Sequence, residues 1–249
     1  MNNDLRNTLW NILDLLVWQK EDFLSSEYGE AGMEGYSKNL WFDYFKQPID
    51  TCQYYTKHIL DDIRTYFFAA KWYEVYDFIE FTLNYFNDKP LTKSINAILE
   101  RELSGYRYIS GIFTDITSEQ EIEMLEGVLS DTDFPGVSSH LRRSLELLSD
   151  RETPDYRNSI KESISAVESF AMTITCDESA TLGQALKVID KENNIHPALK
   201  DAFSKLYGYA SDKGGIRHAM LEEPKLSSAD AKFFLMSCTS FINYMKSKL

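Results

Sequence analysis

Residues 154–168 read Pro154-Asp155-Tyr156-Arg157-Asn158-Ser159-Ile160-Lys161-Glu162-Ser163-Ile164-Ser165-Ala166-Val167-Glu168. Ile160, Ile164, Val167 and the later Ala171 recur at the spacing of one helix face. Arg157, Asn158, Lys161, Glu162 and Glu168 fall on the opposite face. Thr153-Pro154-Asp155 carries the start signal, and the pattern predicts a helix to about Thr173. One face is built for a core and the other for water or a ligand. The flanks keep the same period. A helix is expected over Val137–Leu148 before this segment. Others are expected from Thr181 or Leu182 to Lys191, from Pro197 to about Tyr209, and from Ser227 or Ser228 to about Lys246. Ser211–Gly215 reads as a tight loop, with a helix restarting near Ile216 and interrupted at Pro224. The second half is predicted as almost pure helix.

The first half is also mainly helical, with more punctuation. Leu5, Leu9, Ile12, Leu13, Leu16 and Val17 predict a helix from Asp4 to about Phe23, capped by Asn3 or Asp4. Gly29, Gly32 and Gly35 among acids predict a loop over Ser25–Ser37. Asn39–Lys46 reads as a short helix ended by Pro48. Tyr54–Phe86 predicts two aromatic-rich helices that break near Ala70–Lys71. Pro90 opens another, reaching about Leu103. Tyr106–Ile116, with Ser110-Gly111 at its centre, predicts a small β-hairpin. Ser118-Glu119-Gln120-Glu121 is a capping box for a helix to Leu129. Asp131–Gly136 then reads as a boundary. The fold class expected is mainly α: a helical domain with a small hairpin at 1–134, then a helical bundle at 135–249.

The chain has 249 residues, 43% hydrophobic and 26% charged, which is globular composition. Only 11 Gly and 6 Pro argue against a loop-rich β fold. The net charge is −13 and is unevenly placed. Residues 1–134 hold 11 Lys and Arg against 24 Asp and Glu; residues 135–249 hold 15 of each. The acidic half repels nucleic acid, while the neutral half has room for a local phosphate site. Cys52, Cys176 and Cys238 have no paired spacing, so no disulfide framework or cysteine zinc site is expected, and buried thiols in a reducing cytoplasm are. No signal-peptide profile and no run of about 18 apolar residues is present, so no membrane partner is expected.

The stretch richest in chemistry is Ser211-Asp212-Lys213-Gly214-Gly215-Ile216-Arg217-His218-Ala219. Two glycines permit a sharp entry into a helix, which leaves N–H groups free near a positive dipole end. Arg217 and His218 fall in that first turn. An arginine, an imidazole and free amides together suit a phosphodiester. The imidazole moves protons near neutral pH, and the guanidinium stabilises charge on a pentacoordinate phosphorus. The same residues also fit an ordinary helix start with a solvated Arg and a hydrogen-bonded His.

Residues 135–249 resemble the HEPN-type helical domain at the C-terminus of AbiJ-type abortive-infection proteins. The resemblance is carried by Leu147-Leu148-Ser149-Asp150-Arg151, by the 154–168 block and by Ile195-His196-Pro197-Ala198-Leu199. It continues through Leu206-Tyr207-Gly208-Tyr209 and Gly214-Gly215-Ile216-Arg217-His218-Ala219. The first half resembles that family's N-terminal domain through Leu5-Arg6-Asn7-Thr8-Leu9-Trp10-Asn11 and Trp72-Tyr73-Glu74-Val75-Tyr76-Asp77-Phe78-Ile79-Glu80. The resemblance implies a bundle that dimerises and a metal-independent endoribonuclease of phage defence or a toxin–antitoxin system, with RNA as substrate and no cofactor. It implies His218 as general acid or base and Arg217 as the charge-stabilising group. Lys213, Arg157, Asn158, Lys161 and Glu162 would bind or support. An antitoxin or sensor partner would fit such a system.

The family signature places Arg four to six positions before His. Here Arg217 adjoins His218, and Lys213 stands five positions before it. Arg157-Asn158 matches the start of the usual motif, but no His follows at that spacing. The rival readings are a non-catalytic HEPN interaction module and a ligand- or tRNA-binding sensor. Elsewhere, His58 and His140 read as structural or solvent-exposed, and His196 as shaping a helix start. Asp61-Asp62 and Glu222-Glu223 read as solvated acids. Tyr66-Phe67-Phe68 with Trp72, Tyr73 and Tyr76 reads as core.

Overall fold

A computed structural model describes residues 1–20, 32–179, 183, 184, 186, 196–211 and 226–249. Internal packing divides the chain into two units, Met1–Phe113 and Thr114–Leu249. The architecture is mainly α, with one two-stranded antiparallel sheet among the described residues.

The first unit starts with α1 (Asn3–Leu13), capped by the Asn2 side chain, which accepts from Leu5 N at 2.9 Å. A single wider π turn, Asp14–Trp18, continues it. The expected helix to Phe23 is therefore shorter in its regular part, and residues 21–23 lie outside the described residues. α2 (Met33–Asn39) follows and runs into a second wide turn, Leu40–Tyr44. This corrects the loop expected over Ser25–Ser37, of which 25–31 lie outside the described residues. Met33, Tyr36, Ser37, Leu40 and Trp41 are buried at helical spacing, and Gly35 is a buried helix residue between them. Packing of that face outweighs the helix-breaking tendency of one glycine.

α3 (Thr56–Ala69) and α4 (Trp72–Phe86) break where expected, because Ala70 and Lys71 are extended. α5 (Lys89–Arg101) begins at the Asp88 cap with Pro90 in its first turn. Arg107–Ile109 (β1) and Ile112–Thr114 (β2) form the hairpin. Ser110 and Gly111 both have positive φ, 48° and 105°, which is the turn that matches strand twist. The side chain of Asn96 on α5 donates to Tyr108 O and accepts from Tyr108 N, each at 2.9 Å. Glu80 on α4 accepts from Phe113 N at 2.6 Å. The core is aromatic. Trp18, Tyr36, Phe67, Phe78 and Phe113 are fully buried, and Phe67 and Phe78 meet edge-on at 5.7 Å. Trp72 is the departure from the expected core, at 42% exposed.

The second unit contains α6 (Glu119–Leu129), α7 (Pro135–Ser149), α8 (Tyr156–Thr175), α9 (Pro197–Ser211) and α10 (Ser228–Lys246). α7 starts at Pro135, so Pro135 and Gly136, expected in a boundary turn, are its first residues. Pro suits that position because its missing N–H would have no helical partner there. α8 packs against α7, α9 and α10, and α6 packs against α7 and α10. Most of the helix expected to end at Lys191, the 211–215 loop, the restart at Ile216 and Pro224 lie outside the described residues. Cys238 is buried, Cys52 is half-buried and Cys176 is exposed, which corrects the expectation of three buried thiols.

α7 and α8 form an antiparallel hairpin that approaches closely. Gly136 faces Ser169, and a Cβ added at Gly136 would collide with the Ser169 hydroxyl. Deeper in, Ser144, Ser159 and Ser163 are fully buried. The Ser144 hydroxyl lies 2.8 Å from Ser159 O, 3.0 Å from Ser159 Oγ and 2.8 Å from Ser163 Oγ. Ser159 Oγ returns a bond to Ser144 O at 2.9 Å. Small side chains let the backbones close, and each hydroxyl is satisfied across the gap. At the far end of the unit, Lys246 of α10 bonds the Asp131 carboxylate. That ammonium, with the Asp133 N–H, holds the Asp131 carboxyl below its usual range.

Two outcomes follow from this packing. Ser144→Ala removes the shared hydroxyl, while Ser159 Oγ and Ser163 Oγ keep their main-chain acceptors, Ser144 O and Ser159 O. It should lower the stability of the second unit by about 0.5–1.5 kcal/mol, read as a shifted urea midpoint. Asp131 has its folded pKa depressed, so its contribution is full above the unfolded value, about 3.9, and is lost as pH falls through the lower folded value. Asp131→Asn should therefore lower Tm at pH 7, and the gap from the native chain should close in thermal melts taken progressively below pH 4.

Candidate functional site

Among the described residues of the second unit, α8 has a polar face opposite its buried one. α8 buries Ser159, Ile160, Ser163, Ile164, Ala166, Val167, Phe170 and Ala171. What remains outside is the strip bearing Arg157, Asn158, Lys161, Glu162, Ser165 and Glu168. Arg157 and Lys161 are one turn apart, as are Asn158 and Glu162, so each pair is stacked on one stripe. Asn158 is exposed, and Arg157, Lys161 and Glu162 are half-buried. Sequence periodicity places these four residues correctly on one face.

The start of this face is fixed by its loop. Asp150 Oδ1 accepts from Glu152 N at 2.9 Å and from Thr153 N at 2.8 Å, and these bonds hold its carboxyl below the usual range. Asp155 N donates to Leu147 O at 2.9 Å. Asp155 then caps α8: Oδ1 accepts from Asn158 N at 2.9 Å, and Oδ2 accepts from Asn158 Nδ2 at 2.6 Å. The cap therefore sets the helix start and the Asn158 rotamer together. Further along, Glu168 accepts from the Tyr207 hydroxyl on α9.

Glu162 has a partner that sequence reading did not assign. His140 on α7 places Nδ1 2.7 Å from Glu162 Oε2, with the two side chains 40% and 30% exposed. His140 read as structural or exposed because it lies just inside a predicted helix. The signal lies in the hairpin register. Ser144 meets Ser159 and Ser163, which brings the preceding turn of α7 to Glu162.

Lys213, Arg217 and His218 lie outside the described residues, so the structure gives no distance between them and the α8 face. His196 acts at a helix start as expected, its Nδ1 accepting from Ala198 N at 3.2 Å. His58 is exposed beside Tyr55. Asp61 and Asp62 are exposed; Glu222 and Glu223 lie outside the described residues.

A second feature is an apolar cleft between α8, α9 and α10, lined by Ile164, Val167, Phe203, Leu206, Cys238 and Phe241 among others. Burial pushes the Cys238 thiol up to about 12, so it stays protonated and is no nucleophile. Among the described residues, no group of three or more His, Cys, Asp or Glu is placed to hold a metal ion. No helix there is long and apolar enough to cross a membrane.

The family described as AbiJ N-terminal domain 4 matches residues 1–131. No curated protein and no solved structure matches the chain. The family segment thus covers all of the first unit and runs on through α6, which packs with the second.

Removing the cap tests the geometry of the polar face. Asp155→Ala should cost about 1 kcal/mol of stability in denaturant titration and release the Asn158 amide, seen as averaged side-chain NH₂ resonances.

Proposed function

The chain belongs to the AbiJ N-terminal domain 4 family, and from that premise we propose that it is an RNA-cleaving effector of abortive-infection defence. In this reading residues 135–249 form a HEPN-like bundle that works as a homodimer, and the acidic N-terminal half, residues 1–134, senses, regulates or restrains it. The family membership carries the association with abortive infection. The α8 face supports the rest, because among the described residues it gathers Arg157, Asn158, Lys161 and Glu162 on the less buried side of a helix that packs against α7, α9 and α10.

The chemistry is transesterification. The ribose 2′-hydroxyl attacks the adjacent phosphorus and the 5′-oxygen leaves, giving a 2′,3′-cyclic phosphate and a 5′-hydroxyl end. His218 transfers a proton, and Arg217 stabilises the charge that builds on phosphorus. Arg157 and Lys161 supply positive charge along α8, with Lys213 adding to it. Asn158 offers an amide to a phosphate or base, and Glu162 orients its neighbours. Neither a metal nor an organic cofactor enters these steps. An antitoxin or sensor partner acts through the first unit, and the protein works in the cytoplasm.

A second reading rests on one observation. Arg217 adjoins His218 instead of preceding it by four to six positions. That spacing favours a non-catalytic HEPN interaction or ligand-sensing module. The two readings part on a single assay, cleavage of total RNA by the purified full chain in EDTA with chemical mapping of the ends. Native protein should leave 2′,3′-cyclic phosphates. His218→Ala and Arg217→Ala should each cut the rate by ~10²–10⁴-fold. A double variant as active as the native chain would refute the assignment of these residues.

A further inference from the structure

The turn that ends α5 is strained and exposed at once. Leu103 N donates to Glu100 O at 3.0 Å, and Ser104 N donates to Leu99 O at 2.8 Å. Those two bonds close a helix end around one left-handed residue, a position that glycine usually fills. Leu103 fills it here, with φ at 53°. Its Cβ crowds the backbone in that conformation. The side chain is 90% exposed, so no burial within the chain offsets the strain. Rings flank the same turn. Tyr76 Oη lies 2.7 Å from Ser104 Oγ, and the Tyr106 ring lies 5.1 Å from Tyr76 and 5.9 Å from Trp72. Trp72 is 42% exposed, Tyr106 is half-buried, and the space around Gly105 is open. Trp72, Leu103 and Tyr106 therefore form one apolar patch on the first unit. Arg107 braces the turn from within: Nη1 donates to Ser104 O and to Tyr106 O, each at 2.9 Å. The residue is 9% exposed and has no ion pair among the described residues. A guanidinium held that far from water ordinarily has an anion against it. Lys71, exposed beside Trp72, adds a second cation, 5.5 Å over the Tyr73 ring. The carboxylates nearby are engaged, Glu74 by Lys71 N and Glu102 by Arg101.

We propose that this patch docks a protein segment carrying an aliphatic side chain beside a carboxylate. The aliphatic group covers Trp72 and Leu103, and the carboxylate pairs with Arg107 and Lys71. Docking thus buries the strained leucine and gives the guanidinium its counter-ion. Tryptophan, tyrosine and arginine, the side chains gathered here, dominate binding energy at protein interfaces. RNA fits less well. It would bring a charge with every nucleotide to a unit that holds 17 Asp and Glu against 11 Lys and Arg. A peptide brings one or two charges, placed where the cations are. An exposed leucine also adds nothing to base stacking, whereas it suits an apolar contact between proteins. The surface belongs to the first unit, so it holds whether or not the chain cleaves RNA.

The test selects a random-peptide display library on the full chain and counter-selects it on Leu103→Gly. Glycine relaxes the left-handed position and removes the side chain, so Tm should hold while binding falls. Leu103→Asn, which also tolerates positive φ, is the second variant should Leu103→Gly melt early. Peptides kept by the native chain alone should carry aspartate or glutamate next to an aliphatic residue. One of them, fluorescently labelled, should bind Trp72→Ala and Leu103→Gly ~10-fold more weakly in anisotropy titrations. Lys71→Gln should weaken it by about 2–5-fold and flatten its salt dependence. A labelled oligouridylate is the RNA control and should bind native chain and Leu103→Gly alike or not at all. A library with no peptide specific to the native chain would overturn the surface. Patch-dependent peptides that are basic or neutral, or an oligouridylate released by Leu103→Gly, would overturn the partner assigned to it.

Discussion

The Ser144 hydroxyl sits where α7 and α8 come closest, and the second unit is arranged around that approach. Three buried serines and the Gly136–Ser169 contact leave no room for a larger side chain in the seam. The approach fixes the register of the hairpin. Register fixes which outer residues meet, and His140 with Glu162 is the result. It also fixes what α8 presents elsewhere. Among the described residues, α7, α9 and α10 pack against α8, and the strip from Arg157 to Glu168 is its less buried side. A polar seam makes this specific. An apolar one would tolerate sliding by a turn, whereas hydroxyls slid out of register would be left buried without partners.

The first unit follows a different logic. Its core is built from rings that meet edge-on or tilted, such as Trp10 on Trp18 at 4.5 Å and Tyr76 on Phe113 at 5.0 Å. Such pairs add about 0.5–1.5 kcal/mol beyond their buried area. The acidic excess of residues 1–134 is shared between the two units: Met1–Phe113 holds 17 Asp and Glu against 11 Lys and Arg, and Thr114–Leu249 holds 22 against 15. Net charge therefore does not set the units apart, and what distinguishes them is how their cores are built.

Much of the fold was readable because its signals are local. The break at Ala70–Lys71, the Asp155 start of α8 and the Ser110-Gly111 turn each depend on a few adjacent residues. The polar strip on α8 was readable for the same reason, since one helical period places all of its members. Two misreadings came from treating single residues as breakers. Gly35 lies inside α2 because four large neighbours bury its face, and Pro135 opens α7 where a boundary was expected. The His140–Glu162 pair was hidden for a different reason. Its partners are far apart in sequence, and only the serine seam reveals the register that joins them. Lys213, Arg217 and His218 stand as sequence readings alone, outside the described residues.

Asn96 carries a last consequence. Its side-chain amide presents the same donor and acceptor that a neighbouring strand would, and it takes both main-chain groups of Tyr108. In a hairpin this short, Tyr108 is the residue of β1 whose main chain points away from β2. One side chain thereby closes the outer edge of β1 to sheet extension. A sheet of two strands with an open edge invites a third from another molecule. A blocked edge guards against strand addition between copies.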